Sequence, residues 1–198
     1  DLKSGEGKVL VLDRISGDRI EVKAKRVVNA TGPWVDTVAG EKTGGKKRVF
    51  LSKGVNIVFP AKKFQLDHSI YFDVGDGRMI FAIPREEITY VGTTDTAFKG
   101  DREEPGIVSS DVQYLLDAVN LIFPKVNLKD SDIISSWSGL RPLIFEEGKS
   151  PSEMSRKDEV FISDSGLISI AGGKLTGYRL MAKKIVDLVC DQLNIDQD

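Results

Sequence analysis

The sequence predicts an α+β fold in which a mixed, largely antiparallel sheet is flanked by helices. Residues 49–93 contain short β-like runs separated by turns, and strands that follow one another so closely usually pair antiparallel. Residues 109–123 and 175–193 instead repeat apolar side chains at helical spacing. A sheet covered by two amphipathic helices forms an α+β core.

Length and composition indicate a globular protein. The chain has 198 residues, of which 40% are hydrophobic and 29% charged. A formal net charge of −2 gives no electrostatic case for a nucleic-acid partner. No apolar run approaches the ~20 residues of a membrane span. Cys190 is the only cysteine, so no internal disulfide forms, and we expect a reducing, cytoplasmic location.

The first 48 residues have a pattern of their own. Two β-like runs around a polar turn predict a hairpin over residues 9–24. A short strand, 26–30, leads to Gly32, and Pro33 suits the first turn of a helix that ends near Ala39. The sequence GEKTGGKK that follows predicts a surface loop. We interpret this region as the tail of a second domain.

The remaining elements follow from short apolar runs and their bounding turns. Ser110 and Gln113 suggest a capping box at the start of the first long helix, and Pro124 ends it. The predicted strands are 49–51, 55–60, 69–74, 79–84, 89–93, 132–137, 140–145, 159–163 and 167–171.

Two glycines and a lysine, Gly172-Gly173-Lys174, stand between the last strand and the last helix. Glycines let the backbone approach a ligand closely, and the free N–H groups and dipole of a helix start favour an anion. Lys174 adds a positive charge. The pattern predicts an anion-binding turn; the structural alternative is a tight turn with a lysine in solvent.

Arg141 lies in the sequence SGLRPL, between apolar residues and before a proline. A guanidinium so placed can grip a carboxylate or phosphate with two parallel hydrogen bonds. The alternative is a buried structural ion pair. The polar run GTTDT at residues 92–96 follows a strand, and it either lines a pocket or forms a capping turn.

Several site types are excluded by the residues that the sequence lacks. His68 is the only histidine, and with one cysteine no zinc site of the usual ligands can be built. Neither a G-x-G-x-x-G nor a P-loop pattern occurs. The residues alone therefore predict an α+β domain with a cationic anion pocket and no complete cofactor site.

Six motifs follow one another along the chain: RVVNATGPWVD, LSKGVNIVFP, IFAIPR, YVGTTDT, WSGLRPL and GGKLTGYR. Together they resemble the FAD-dependent (aerobic) glycerol-3-phosphate dehydrogenases and α-glycerophosphate oxidases, of the D-amino-acid-oxidase-like superfamily. The resemblance implies a central fragment. Residues 1–48 would end the FAD-binding domain, 49–170 would form the substrate-binding domain, and 171–198 would be a helix returning to the FAD-binding domain.

The resemblance also implies a reaction. Such enzymes oxidise sn-glycerol 3-phosphate to dihydroxyacetone phosphate by hydride transfer to FAD, and the electrons pass on to a quinone or to oxygen. Two alternatives remain open: a related FAD-dependent amino-acid or sarcosine oxidase, and an anion-binding module without chemistry. The resemblance further allows a homodimer and peripheral attachment to the inner face of the cytoplasmic membrane.

Site residues follow from the resemblance, motif by motif. Arg141 and Lys174 would act in catalysis: Arg141 would bind the substrate near its phosphate or reacting oxygen, and Lys174 would lie beside flavin and substrate. Asn56 and Thr176 would complete the substrate site. The residues expected to contact FAD are Thr31, Gly32, Gly172, Gly173, Lys174, Leu175 and Thr176.

The chain departs from the family pattern in two places. Many members carry a histidine where this chain has Asn56, and an amide cannot accept the substrate proton near neutral pH. The G-x-G-x-x-G that holds the FAD diphosphate is also missing. We therefore expect this chain by itself to bind FAD weakly or not at all, and to expose an apolar patch.

Overall fold

The computed structural model describes residues 7–40, 47–149, 154 and 156–195. Its strands are β1 (Gly7–Leu12), β2 (Arg19–Ala24), β3 (Val28–Asn29), β4 (Val49–Pro60), β5 (Ile70–Asp73), β6 (Met79–Arg85), β7 (Ile88–Gly92), β8 (Thr96–Ala97), β9 (Ser135–Ile144), β10 (Asp158–Ile162) and β11 (Ile168–Gly172). Its α-helices are α1 (Val35–Ala39), α2 (Ser109–Ile122) and α3 (Tyr178–Leu193). The 3-10 turns are Gly32–Trp34, Asp130–Asp132 and Leu175–Gly177.

The chain divides into two compact units. Unit 1 comprises Asp1–Val49, Pro142–Glu146 and Ser155–Asp198. Unit 2 comprises Phe50–Arg141 and Glu147–Met154. Each unit therefore gathers pieces of chain that are distant in sequence.

Unit 1 contains two small sheets. Strands β1 and β2 form an antiparallel hairpin, as predicted. The other sheet has the order β10-β11-β3, with β10 and β11 antiparallel and β11 parallel to β3. Ile185 of α3 packs with Ile168 and Ile170 of β11 in a small buried cluster.

Unit 2 is built around a six-stranded sheet. The strand order is β5-β6-β7-β4-β8, and β9 also pairs with β4. Side chains alternate across a strand, so Val55, Ile57 and Phe59 of β4 share one face. They pack in the core with Leu115 and Val119 of α2. Gly54 and Asn56 consequently face away from that core.

The predicted α+β class with a largely antiparallel sheet is confirmed. One prediction for β4 is wrong: residues 49–51 and 55–60 form one continuous strand rather than two. The polar pair Ser52 and Lys53 stands between the two predicted pieces. Both side chains are buried and hydrogen-bonded, to Asp95 and Asp111 respectively, so the strand runs on.

Two further local predictions are corrected. Residues 132–137 and 140–145 contribute to the single strand β9 and not to two strands. The start of α2 is closed by Asp111, whose carboxylate accepts a hydrogen bond from the Val108 N–H, and not by Ser110 and Gln113. The core of the loop predicted from GEKTGGKK, residues 41–46, lies outside the described residues.

Candidate functional site

The two glycine-containing turns predicted to contact FAD leave the same sheet of unit 1. Ile168 and Ser169 of β11 pair in parallel with Val28 and Asn29 of β3. Parallel strands end at the same edge of a sheet, where α/β folds commonly bind ligands. The turn that carries Thr31 and Gly32 therefore emerges beside the turn over 172–176. Each turn continues through a 3-10 segment into a helix.

The second of these turns requires its two glycines. Gly172 and Gly173 have φ of +79° and +80°, a conformation that side chains rarely adopt. A Cβ at Gly172 would overlap the Lys157 carbonyl oxygen, and one at Gly173 would overlap the Met181 sulfur. The chain after them is open: Lys174 is exposed.

The side chains that follow Lys174 are exposed as well. Leu175 is 89% exposed, and Thr176 is also exposed. The 3-10 turn is closed by a hydrogen bond of 2.8 Å from the Gly177 N–H to the Lys174 carbonyl oxygen. A cation, a hydroxyl and an apolar side chain thus face outward on one short segment.

Asn29 stabilises the first turn and was not predicted as a functional residue. Its side chain is 2% exposed and donates to the Val35 carbonyl oxygen, 2.8 Å away, and to Ser169 Oγ, 3.2 Å away. Its Oδ1 accepts from the Thr31 hydroxyl at 2.7 Å. One buried amide therefore fixes the turn to both the helix start and the neighbouring strand.

Arg141 is the centre of the candidate site in unit 2. Its guanidinium donates to Thr93 Oγ1 (2.9 Å), to the Thr94 carbonyl oxygen (3.2 Å) and to Asp95 Oδ1 (3.2 Å). About a third of the side chain, 30%, is exposed. Both interpretations of the sequence thus have support, because Arg141 forms an ion pair and still presents surface to solvent.

A glycine in β4 makes room for that arginine. A Cβ at Gly54 would overlap the Arg141 guanidinium. The guanidinium therefore lies directly against the backbone of β4 at Gly54. Glycine inside a strand often marks such a close approach, so this signal was present in the sequence.

The partners of Arg141 lie in a bulge between β7 and β8. β4 pairs Asn56 with Gly92 and Lys53 with Thr96, so two residues of β4 oppose three in the segment 93–95. Thr94 fills the gap with its side chain: its hydroxyl accepts from the Val55 N–H at 3.0 Å and donates to the Lys53 carbonyl oxygen at 3.2 Å.

Asn56 lies beside this bulge. A Cβ at Gly92 would overlap the Asn56 side-chain oxygen, so the amide occupies the space above Gly92. Asn56 is partly buried and, by strand alternation, shares a face of β4 with Gly54. Asn56 and Arg141 are thereby placed on one face of the unit 2 sheet.

A buried ion pair supports the same strand from its other face. Lys53 Nζ lies 2.6 Å from Asp111 Oδ2, and the two side chains are 6% and 4% exposed. Lys53 also donates to the Gly106 carbonyl oxygen at 3.0 Å. The pair ties β4 to the start of α2. Sequence reasoning missed it because its members are 58 residues apart.

The structure thus divides the predicted site residues into two groups. Arg141 and Asn56 lie in unit 2. The group in unit 1 comprises Thr31, Gly32, Gly172, Gly173, Lys174, Leu175 and Thr176. Their functional roles stay predictions.

The comparisons with known proteins bear on both groups. A family model described as FAD dependent oxidoreductase (DAO) matches residues 2–179. The chain belongs to this FAD-dependent oxidoreductase family. The aerobic glycerol-3-phosphate dehydrogenase of Staphylococcus aureus (strain USA300) is 54% identical over 190 residues, which cover 95% of this chain and 34% of that protein.

Two solved structures have a similar fold. The glycerol-3-phosphate dehydrogenase from Bacillus halodurans, complexed with FAD, matches with a TM-score of 0.84 and 48% identity over 96% of this chain and 37% of that one. Glycine oxidase from Geobacillus kaustophilus matches with a TM-score of 0.59 and 21% identity over 89% of this chain and 44% of that one, a likeness of fold alone. The chain spans about a third of the length of its glycerol-3-phosphate dehydrogenase relatives.

Two features are absent from the described part of the chain. Its helices include none that is both long and apolar enough to cross a membrane. Among the same residues, no group of three or more His, Cys, Asp or Glu side chains is arranged to hold a metal ion.

Proposed function

We propose that this chain is part of an FAD-dependent glycerol-3-phosphate dehydrogenase, which oxidises sn-glycerol 3-phosphate to dihydroxyacetone phosphate. The observation that carries the proposal is 54% identity, over 95% of the chain, to a relative of that name. Because the chain spans a third of that relative, it supplies a portion of the enzyme.

The portion divides into regions with different tasks. Residues 1–48 and 171–198 contribute to FAD binding, and residues 49–170 form the substrate-binding region. The exposed apolar side chains of residues 7–40 and 171–195 support this division, since they offer a surface for the rest of such an enzyme to cover. A free-standing anion-binding module would have less reason to leave them in water.

The residues at the sheet edge of unit 1 fit an FAD-binding role. Gly32 has φ of +57° and open space where a side chain would begin, so a ligand can approach its backbone closely. Thr31, Lys174, Leu175 and Thr176 are exposed at the same edge. When bound, FAD supplies the hydride acceptor. The ammonium of Lys174 would stabilise negative charge that develops beside it.

Substrate binding falls to unit 2 and to Lys174. Arg141 would hold the phosphate or the reacting oxygen of the substrate through a charge-assisted hydrogen bond. Asn56 and Thr176 would add neutral hydrogen bonds that orient the substrate. Because hydrogen bonds to residues 93–95 already hold the Arg141 guanidinium, this side chain would need little reorganisation on binding.

The full-length enzyme tests the proposal directly. Anaerobic addition of sn-glycerol 3-phosphate should bleach the flavin absorbance and form dihydroxyacetone phosphate, whereas glycine or sarcosine should do neither. Arg141→Ala should lower kcat/KM by about 10²–10³-fold, as loss of one prearranged donor does in other enzymes. Bleaching by an amino acid instead would establish the oxidase alternative.

Asn56 tests where the substrate proton goes. We expect Asn56 to orient the substrate without accepting a proton, because an amide has no basic form near neutral pH. Asn56→His should then leave the pH dependence of kcat/KM unchanged in shape. A new limb near the ordinary histidine pKa would show that the position can supply a base.

The chain alone should not retain FAD. Gel filtration of the 198-residue protein after incubation with FAD should separate the two, and glycerol 3-phosphate oxidation should be undetectable. Co-elution of a flavin spectrum with the protein would overturn this expectation.

The proposal also covers the electron acceptor, the oligomeric state and the cellular location of the full-length enzyme. The electrons would pass to a quinone or to oxygen, which rates of quinone-analogue reduction and oxygen consumption distinguish. The full-length enzyme would be cytoplasmic and would attach peripherally to the inner face of the membrane, which flotation with vesicles tests. It would form a homodimer, which analytical sedimentation tests.

A further inference from the structure

The Arg141 guanidinium is held by a segment whose own geometry is unusual. In a regular ladder, the backbone groups of Val55 and Lys53 would pair with the backbone of the neighbouring strand. Here the hydroxyl of Thr94 replaces the neighbouring backbone: it accepts from the Val55 N–H and donates to the Lys53 carbonyl oxygen. The Thr94 carbonyl oxygen is thereby available to accept from Arg141.

Asp95 completes this arrangement. Its Oδ1 accepts from Arg141 at 3.2 Å and from Ser52 Oγ at 2.6 Å, so both hydrogen bonds end on one oxygen. Ser52 is fully buried, and the Asp95 side chain is 15% exposed. Ser52 therefore fixes the carboxylate, and the carboxylate in turn fixes the guanidinium.

We propose that Asp95 is a positioning residue for Arg141, and that Ser52 holds Asp95 in place for this task. The inference rests on the proposed function, in which Arg141 binds the substrate. Asp95 would act through the arginine and would not touch the substrate itself.

A positioning residue is needed because of where the arginine lies. Its long side chain has many rotamers and packs against Gly54, which offers no side chain to confine it. The contacts in 93–95 confine it instead.

Two substitutions separate position from charge. Asp95→Asn keeps the Oδ1 acceptor and removes the charge, whereas Asp95→Ala removes both. In the full-length enzyme we expect Asp95→Ala to lower kcat/KM per bound flavin by about 10–100-fold, the usual effect of losing a hydrogen bond to a charged group. Asp95→Asn should recover kcat/KM to within about threefold of the unaltered enzyme.

Ser52→Ala provides a milder variant that leaves the carboxylate in place. Its loss of one hydrogen bond should lower kcat/KM by about fivefold. Asp101→Ala is the matched control, since Asp101 is an exposed loop carboxylate of the same unit that accepts from the Glu103 N–H. It should stay within about twofold of the unaltered enzyme.

Each outcome separates the inference from the proposed function. If Arg141→Ala loses activity while Asp95→Ala stays within twofold, the inference is wrong and the proposed function stands. Equal losses in Asp95→Asn and Asp95→Ala would assign the effect to charge and overturn a positioning role. Lower thermal stability of Asp95→Ala with unchanged activity per flavin would show a merely structural carboxylate. If Arg141→Ala keeps full activity, the proposed role of Arg141 and this inference both fail.

Discussion

Unit 2 buries many of its large apolar side chains in one core, whereas unit 1 leaves more of its own in solvent. The unit 2 core joins residues of β4 to β7 with α2 and includes Phe59, Phe64 and Leu115 at no more than 1% exposure. In the described part of unit 1, the cluster beneath α3 is small and contains the buried residues Ile168, Ile170 and Ile185. Four apolar side chains of unit 1 are largely exposed: Leu10 at 66%, Ile15 at 98%, Leu175 at 89% and Leu180 at 74%.

This difference matches the proposed division of labour. A unit with its own core can hold Arg141 and Asn56 in fixed positions without outside help. A unit with exposed apolar faces needs further polypeptide to cover them. The two tryptophans allow the units to be followed separately, because Trp34 lies in unit 1 and Trp137 in unit 2.

The largest contrast is expected between two ion pairs. Lys53→Met would leave Asp111 charged, buried and without its lysine, which should lower the free energy of unfolding by about 3–5 kcal/mol. Lys184→Met removes the partner of Asp158 in unit 1, where the side chains are 55% and 30% exposed, and should cost about 0–1 kcal/mol. Urea unfolding measures both. Similar costs would show that the two units do not differ in burial as the structure indicates.

A second contrast uses matched isoleucines. Ile57→Ala opens a cavity in the unit 2 core and should cost about 2–5 kcal/mol. Ile20 of unit 1 is 51% exposed, so Ile20→Ala should cost less than about 1 kcal/mol. Following Trp137 fluorescence in a Trp34→Phe background isolates the unit 2 signal. A cost below about 1 kcal/mol for Ile57→Ala would contradict a tightly packed core.

A third, smaller effect concerns the exposed face of unit 1. Leu175→Ser together with Leu180→Ser should change the free energy of unfolding of this chain by no more than about 0.5 kcal/mol, and should reduce its self-association. Leu121→Ser is the control, because Leu121 is 66% exposed in unit 2. Sedimentation velocity distinguishes them. If the double variant and the Leu121→Ser control self-associate equally, the exposed side chains of Leu175 and Leu180 are not the cause of self-association.

The smallest effect is a pH dependence in unit 2. Burial, and then the hydrogen bond to Asp76, raise the pKa of Tyr114 from 10.0 to about 12. The folded state therefore holds this proton more tightly, and the resulting stability is present below pH 10 and lost as the pH rises towards 12. Tyr114→Phe has no phenol to titrate and does not lose this stability. The difference in free energy of unfolding between the unaltered chain and Tyr114→Phe should therefore shrink between pH 10 and about 12. If urea unfolding shows a constant difference between the two proteins from about pH 9 to 12, the raised pKa of Tyr114 is refuted.

Local patterns predicted the elements that depend on local causes. The hairpin over residues 9–24 and helix α2 were found as expected, because each is specified by turn residues or by apolar spacing within a few residues. Strand β4 was predicted in two pieces. Its polar interruption is satisfied by side chains far along the chain, and periodicity within the strand cannot reveal such partners.

The candidate site shows the same division. Arg141 and Lys174 stood out from their sequence surroundings. The order of the motifs pointed to the family, and that resemblance in turn singled out Asn56. Ser52 was not singled out, and the run 92–96 that contains Thr94 and Asp95 was left between a pocket and a capping turn. Their contacts depend on a bulge that forms only when β4 meets β7 and β8. Small polar residues at a strand end are common, so no local signal separates these from others.

The amino-acid sequence by itself determined the fold class, the family and the chemical character of the arginine and lysine, since each depends on residue types and their spacing. Only the tertiary structure decided what holds Arg141 in place. The groups that do so are the bulge over residues 93–95, including the Asp95 carboxylate, with Ser52 and Gly54 of strand β4. Hydrogen bonds between distant segments depend on how strands pair in three dimensions, and that pairing is not written in any one stretch of the chain.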